Sequence, residues 1–243
     1  MEVLVVVPAR GGSKGLPGKN LRQVAGRTLV ARAVDTACAW RDVAAEHDVR
    51  IIVDTDAPAI AAEAEAAGAW VPFLREAAYA RDETSTADSV CRLLDRLAAM
   101  GRTPAHLVLL QPTSPLRVLE DVIACWEAYA RAGHSACTIV PIDHPCERAV
   151  RPTASGTLQW AAGMPPTAIR RQEYATSYFM NGAVYCLETA ILQTTREFIH
   201  EGRTTLVPMP RLRSLDIDTE DDLQLAEAVA GLGLHLTNSQ VNR

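Results

Sequence analysis

Five apolar, largely β-branched runs, Val3–Val7, Ile51–Val53, Leu107–Leu110, Ile139–Ile142 and Ala183–Leu187, alternate along the chain with segments whose apolar residues recur at helical spacing. Ala87, Val90, Cys91, Leu94 and Leu97 make one such helical face, and Leu119, Val122, Ile123, Trp126 and Tyr129 make another. Thr84, Ser85 and Thr86 sit where the first of these helices needs a cap. Strands alternating with helices build βαβ units, so the expected fold class is α/β, a doubly wound, mostly parallel sheet. With 243 residues, 48% of them hydrophobic, the chain suffices for one such domain spanning 1–243. From about Asp143 to Phe179 the alternation breaks down into a stretch holding Pro145, Pro152, Pro165, Pro166 and the basic pair Arg170–Arg171. That stretch reads as an inserted arm or small subdomain within the single domain.

The charge balance narrows the partners. A formal net charge of −5 from interspersed acids and bases provides no basic stripe for nucleic acid, which points to a small-molecule ligand. No apolar run reaches membrane-spanning length, and the N-terminus enters a strand without a charged leader, so a cytoplasmic protein is expected. The six cysteines, Cys38, Cys91, Cys125, Cys137, Cys146 and Cys186, fall at wide, irregular spacings with no C-x-x-C pair, as buried small side chains do in a reducing compartment. The histidines are isolated from one another and receive no metal or catalytic role.

Ligands of open parallel sheets bind beyond the carboxyl ends of the strands, which directs attention to the loops there. The first strand empties into Pro8-Ala-Arg-Gly-Gly-Ser-Lys-Gly-Leu-Pro-Gly-Lys-Asn20. Its glycines let backbone N–H groups approach phosphate oxygens, and Arg10, Lys14 and Lys19 can offset the charge of a triphosphate. It is neither a Walker A loop nor a G-x-G-x-x-G turn, because position 10 is arginine and Gly15 lacks a following Lys-Ser/Thr. A solvated glycine turn is the plain alternative. Near the other end, Asp216 and Asp218 stand two residues apart in Ser214-Leu-Asp-Ile-Asp-Thr-Glu-Asp-Asp222. In an extended segment both carboxylates emerge on one face, about 7 Å apart along the chain, where they can share a hard cation such as Mg²⁺. Either aspartate also suits the cap of a helix starting near Glu220. Gln111-Pro-Thr-Ser-Pro-Leu-Arg117 presents neutral hydrogen-bonding groups suited to a sugar, although a Thr-Ser-Pro stretch before a helix is first of all a cap. Arg75 and the Arg170–Arg171–Gln172 cluster offer guanidinium groups to a carboxylate, or are solvated surface arginines.

Together these loops resemble the acylneuraminate cytidylyltransferase family, which activates sialic, legionaminic and pseudaminic acids with CTP. The pieces that carry the resemblance are Pro8 to Asn20, Val53-Asp-Thr-Asp56, Leu110-Gln-Pro-Thr-Ser-Pro-Leu-Arg117, Asn181-Gly-Ala-Val-Tyr185 and Asp216-Ile-Asp-Thr-Glu-Asp221, in family order across nearly the whole chain. The resemblance implies a Rossmann-like domain with a small dimerisation arm, hence a homodimer. It implies that CTP binds along Ala9, Arg10, Gly11, Gly12 and Ser13, with Arg10 and Lys19 on the triphosphate and Asn20 and Arg75 on the ribose and base region. Ser85 matches a serine of the family's nucleotide site. Gln111, Thr113 and Ser114 would face the sugar acid, Arg171, Gln172 and Asn181 would close its pocket, and Asp216 and Asp218 would hold Mg²⁺. Arg10, Lys19, Asp216 and Asp218 would be the catalytic set, with the acceptor's anomeric hydroxyl attacking the α-phosphorus and pyrophosphate leaving.

Two places depart from the family pattern. Asp54 stands where serine is usual, and Phe179-Met180 precede Asn181 where an arginine or acidic residue and proline are common. Both bear on which acidic acceptor is used, a phosphonate or another keto-sugar acid being the alternative to a nonulosonic acid. A nucleotide sensor without turnover and an NAD-dependent oxidoreductase are the rivals from other classes. The paired Asp216 and Asp218 argue against the sensor.

Overall fold

The structure is a computed structural model that describes residues 1–13, 15–166 and 174–232. The first half runs β1 (Glu2–Pro8), β2 (Gln23–Val24), β3 (Arg27–Thr28), α1 (Leu29–Val43), β4 (Asp48–Asp54), α2 (Pro58–Ala66), α3 (Thr86–Ala99) and β5 (His106–Leu110). The second half runs α4 (Leu119–Ala132), β6 (Ser135–Pro141), β7 (Val150–Pro152), β8 (Leu158–Trp160), β9 (Tyr178–Glu188), α5 (Thr189–Thr195), β10 (Thr204–Pro208) and α6 (Glu220–Gly231).

One sheet of order β10-β6-β9-β5-β1-β4 organises the molecule. β1 runs parallel to β4 and β5, and β10 runs parallel to β6, while β9 is antiparallel to both its neighbours. The mostly parallel α/β sheet expected from the alternation is therefore present. Because β9 runs backwards, its first residues, not its last, lie at the carboxyl edge of the parallel strands. Asn181 reaches the functional edge by this route. β10 was not foreseen. It is a short edge strand, only partly covered, so Thr204-Thr-Leu-Val-Pro208 lacks the apolar density of the central strands.

The two faces of β1 show how the core divides. Val3, Val5 and Val7 enter one cluster with Val34, Ala37, Trp40, Val122 and Trp126, on the side of α1 and α4. Leu4 and Val6 point the other way, to Val90, Leu94 and Leu97 of α3 and Leu192 of α5. A third, smaller cluster joins Leu16, Val24, Leu29, Leu116, Ile217, Leu223, Ala226 and Val229, which seats α6 beneath the carboxyl edge. Helix termini are fixed locally. Ser85 caps α3 by accepting from the Asp88 N–H at 3.0 Å, and Thr219 and Asp222 form a reciprocal capping box on α6. Four of the six cysteines are buried and all are free thiols.

Between β6 and β9 the chain leaves the sheet, with Ile142 N–H donating to Ser177 O at 2.9 Å across the base of the excursion. Its described part carries the small β7–β8 hairpin, whose strands are largely exposed.

A buried ion pair ties the sheet's helix layer to the segment leading into α6. Arg213, 1% exposed, donates from Nε and Nη2 to the two oxygens of Asp121 at 3.1 and 2.7 Å. Asp121 also receives the Val118 N–H at 3.0 Å at the start of α4. Removing one partner of such a pair strands a buried charge, so Arg213→Ala is expected to lower unfolding stability by about 3–5 kcal/mol in urea titrations. At the opposite edge, burial holds the His106 imidazole below its ordinary value, with Glu188 opposing and His47 and the N-terminal amine reinforcing the shift. The folded state thus disfavours protonated His106, and stability should fall as pH drops from about 7 toward 5; His106→Gln should flatten that slope in thermal melts.

Candidate active site

The carboxyl edge of β1, β4 and β5 opens into a cleft of about 330 Å³. Its floor begins where β1 ends. Ala9 is fully buried and donates its N–H to Asp54 O at 2.9 Å, and the Gly11 N–H donates to Asp56 Oδ1 at 2.7 Å. These bonds, with Asn20 Nδ2 donating to Arg10 O at 2.9 Å, fold the glycine loop back over the sheet edge. Arg10, Gly12, Ser13, Lys19 and Asn20 then line the cleft, whereas Ala9 and Gly11 do not. Lys14 lies outside the described residues.

Opposite this loop stands the segment before α6. Ile217 is fully buried in the third cluster and its N–H donates to Thr113 O at 2.9 Å, which turns the flanking Asp216 and Asp218 toward the cleft. Lys19 Nζ bridges the two walls, donating to Ile217 O at 2.8 Å and to Asp218 Oδ1 at 3.0 Å. The approach is close. A Cβ built on Gly15 would lie 2.5 Å from Asp218 O, so only glycine lets the loop's backbone rest there. Asp216 is open at the cleft surface yet crowded by protein. Burial raises its carboxyl above the usual aspartate range, Asp218 adds to the shift, and the Thr113 hydroxyl and Lys19 oppose it. Two carboxylates beside a cation, facing a polar cleft, form an oxygen donor set for a hard divalent ion. Among the described residues no group of three or more His, Cys, Asp or Glu side chains makes a closed metal cage, so an ion held here would draw its other oxygens from ligand and water.

The third wall comprises Tyr79, Arg81, Asp82, Thr84, Ser85, Thr86 and Ser89, leading into and along α3. Arg75 lies at its foot, its side chain 8% exposed, with Nη2 donating to Asp54 O at 2.7 Å and pairing with Asp54 Oδ2 at 2.8 Å. Ser89 Oγ donates to the same carboxylate at 2.6 Å. Asp54, the residue that departs from the family pattern, is thus the anchor of Arg75. Arg75 Nε has no partner among the described residues and remains a donor beside the cleft.

The loop after β5 supplies Gln111 and Thr113. Gln111 lies over Gly182, whose φ of +73° and missing side chain make room for the amide. Arg117, 5% exposed, braces this loop by donating from Nη1 to Gln111 O at 3.0 Å and Ala183 O at 2.8 Å, and burial brings its pKa down to about 10. Ser114 and Asn181 stand apart from the cleft. Ser114 is 1% exposed, its hydroxyl without a hydrogen-bond partner among the described residues, so it does not present to the cleft as the loop's sequence suggests. Asn181, 4% exposed, spends all its hydrogen-bonding capacity inside the protein. Its Oδ1 accepts from Thr138 Oγ1 and Ala183 N, and its Nδ2 donates to Ser214 Oγ and Met209 Sδ. Arg171 and Gln172, expected to close the acceptor pocket, lie outside the described residues. Sequence reasoning passed over Arg81 and Asp82, whose only local signal is a charged pair just ahead of the Thr84–Thr86 cap.

A doubly wound sheet with a glycine-and-cation loop after its first strand and paired aspartates across the cleft defines a nucleotidyltransferase-type fold. A CMP:2-keto-3-deoxy-manno-octonic acid synthetase solved with CTP shares it, at a TM-score of 0.68 and 19% identity over 96% of this chain and all of that one. Residues 4–154 match the cytidylyltransferase family, and this chain belongs to it. Over 232 residues it is 32% identical to a CMP-N,N'-diacetyllegionaminic acid synthase of Legionella pneumophila, covering 96% of this chain and 97% of that protein. A pseudaminic acid cytidylyltransferase of Campylobacter jejuni is 25% identical over 228 residues, 93% of this chain and 95% of that protein.

Gly15→Ala should push the glycine loop off Asp218. The expected outcome, checked by calorimetric titration and circular dichroism, is loss of nucleotide binding by about tenfold or more with secondary structure unchanged.

Proposed function

We propose that the chain transfers CMP from CTP to the anomeric hydroxyl of a nonulosonic, sialic-acid-like sugar acid, releasing pyrophosphate. The observation that carries this reading is the cleft in which Arg10 and Lys19 stand across from Asp216 and Asp218 at the carboxyl edge of the sheet. The relatives named above act on acids of this kind. In the reaction the acceptor oxygen bonds to the α-phosphorus, the bond to pyrophosphate breaks, and the hydroxyl proton leaves to a carboxylate, a phosphate oxygen or water. The chain's own task is alignment and charge compensation. Arg10, Lys19 and the backbone of Gly12 and Ser13 take the phosphates, Asn20, Arg75 and Ser85 border the nucleoside, and Gln111 and Thr113 face the acceptor. Mg²⁺ at Asp216 and Asp218 would offset the charge that develops on the phosphates.

A second cavity of about 530 Å³ opens beside the first and shares Ser85, Thr86 and Gln111 with it. Ala87, Leu109, Met180, Tyr185, Glu197, Phe198 and Ile199 complete its wall, so an acceptor seated there would meet a mostly apolar surface with one carboxylate. Met180 belongs to the pair that departs from the family pattern, which makes acceptor identity the property to measure first. The excursion between β6 and β9 exposes Val150, Leu158 and Met164, the first residues of β9 expose Tyr178 and Phe179 beside it, and we assign this surface to a homodimer contact. No helix among the described residues is long and apolar enough to cross a membrane, and a CTP-consuming enzyme of this kind would work in the cytoplasm.

The test is pyrophosphate release by the purified protein with Mg²⁺, each nucleoside triphosphate in turn, and sialic, legionaminic and pseudaminic acids. Release with CTP and at least one of these acids is expected, and silence with all three would overturn the acceptor class. Asp218→Asn should cut that turnover by about 100-fold or more while leaving the melting profile intact.

A further inference from the structure

Two cations of the cleft, Lys19 and Arg10, are engaged by carboxylates of the chain itself, in two different ways. Lys19 is 15% exposed and held by the Ile217 carbonyl as well as by Asp218, on a wall fixed by the buried Ile217. Arg10 instead reaches across the cleft. Its Nη1 lies 2.7 Å from Asp82 Oδ1, and the two side chains are 35% and 38% exposed. Asp82 sits in the exposed stretch Arg81–Glu83, between the short helical turn Ala77–Tyr79 and the cap of α3. That stretch is tethered behind Asp82, where Thr84 N–H donates to Arg81 O at 3.2 Å and Thr84 Oγ1 to Ala78 O at 3.3 Å. Both partners line the cleft, Arg10 from the glycine loop and Asp82 from the α3 wall, so the ion pair spans it.

We propose that Asp82 is an internal competitor for Arg10, a carboxylate that occupies the guanidinium in the absence of nucleotide and sets the affinity for CTP and pyrophosphate. The inference rests on the cleft taking a nucleoside triphosphate, as argued above. An exposed ion pair is weak, and a triphosphate carries several charges, so phosphate displaces Asp82 readily. The displacement still subtracts from binding, because the guanidinium must leave one anion to take another. When the product pyrophosphate loosens, Asp82 retakes Arg10 and opposes rebinding. Affinity is thereby held below what Arg10 alone would give, which favours release after each turnover.

Calorimetric titration of CTP, and separately of pyrophosphate, into wild type, Asp82→Asn, Asp82→Ser, Arg10→Ala and the Arg10→Ala/Asp82→Asn double variant tests this. Both Asp82 variants should bind CTP and pyrophosphate about two- to fivefold more tightly, the range an exposed ion pair supports, and pyrophosphate should inhibit them more strongly. In the Arg10→Ala background the Asp82 change should tighten binding far less than it does beside Arg10, because the competition acts through that guanidinium. Unchanged or weaker binding in the Asp82 variants overturns the proposal, as does equal tightening with and without Arg10, which would mean simple repulsion. Wild type that fails to bind CTP would instead refute the nucleotide reading on which the inference rests.

Discussion

The burial of Ile217 is the constraint on which the cleft depends. A fully apolar side chain between two aspartates leaves the chain one way to lie: the isoleucine goes down into the cluster of Leu16, Leu116 and Leu223, and both carboxylates come up. The same cluster includes Leu16 of the glycine loop, so one patch of apolar contact sets both walls at once. Burying these aliphatic side chains contributes on the order of 1.5–3 kcal/mol each, enough to hold the carboxylates of Asp216 and Asp218 near each other despite their repulsion.

Around that patch the protein invests in buried charge. Arg213 with Asp121, Arg75 with Asp54, and Arg117 against two carbonyls all sit at the carboxyl edge, where irregular loops leave backbone groups that no strand partner satisfies. A buried ion pair is poor at raising stability but strict about geometry, since each partner must be met or its desolvation is uncompensated. Loops braced this way hold a fixed shape without being part of the sheet, which suits a site whose task is alignment.

Legibility in the sequence followed periodicity and composition. The central strands and α3 and α4 were readable because their apolar residues repeat, and the glycine loop and paired aspartates were readable because unusual residue types are concentrated there. What the sequence did not disclose was where polar side chains point. Ser114 and Asn181 look like ligand-facing groups along the chain, yet Ser114 packs inward and Asn181 is saturated by Thr138, Ser214, Met209 and the Ala183 amide. Arg75 looked like an even choice between surface and site; its partner Asp54 is 21 residues away, a pairing that no local pattern encodes. The stretch with Arg81 and Asp82 ahead of the α3 cap has neither period nor motif, and its place in the cleft emerges only when the turn before the helix is seen against the glycine loop.

The reversed course of β9 has a consequence for how such a protein can change. The groups that line the first cleft come from the end of β1 and the glycine loop, from the loop after β5 and from the approaches to α3 and α6, whereas Met180 and the Glu197–Ile199 turn come from β9 and the chain after α5. The second cavity therefore draws much of its wall from elements that contribute nothing to the first. Substitutions there can reshape the second cavity while the glycine loop and the paired aspartates stay as they are, so the two pockets can change through small, separable steps in sequence.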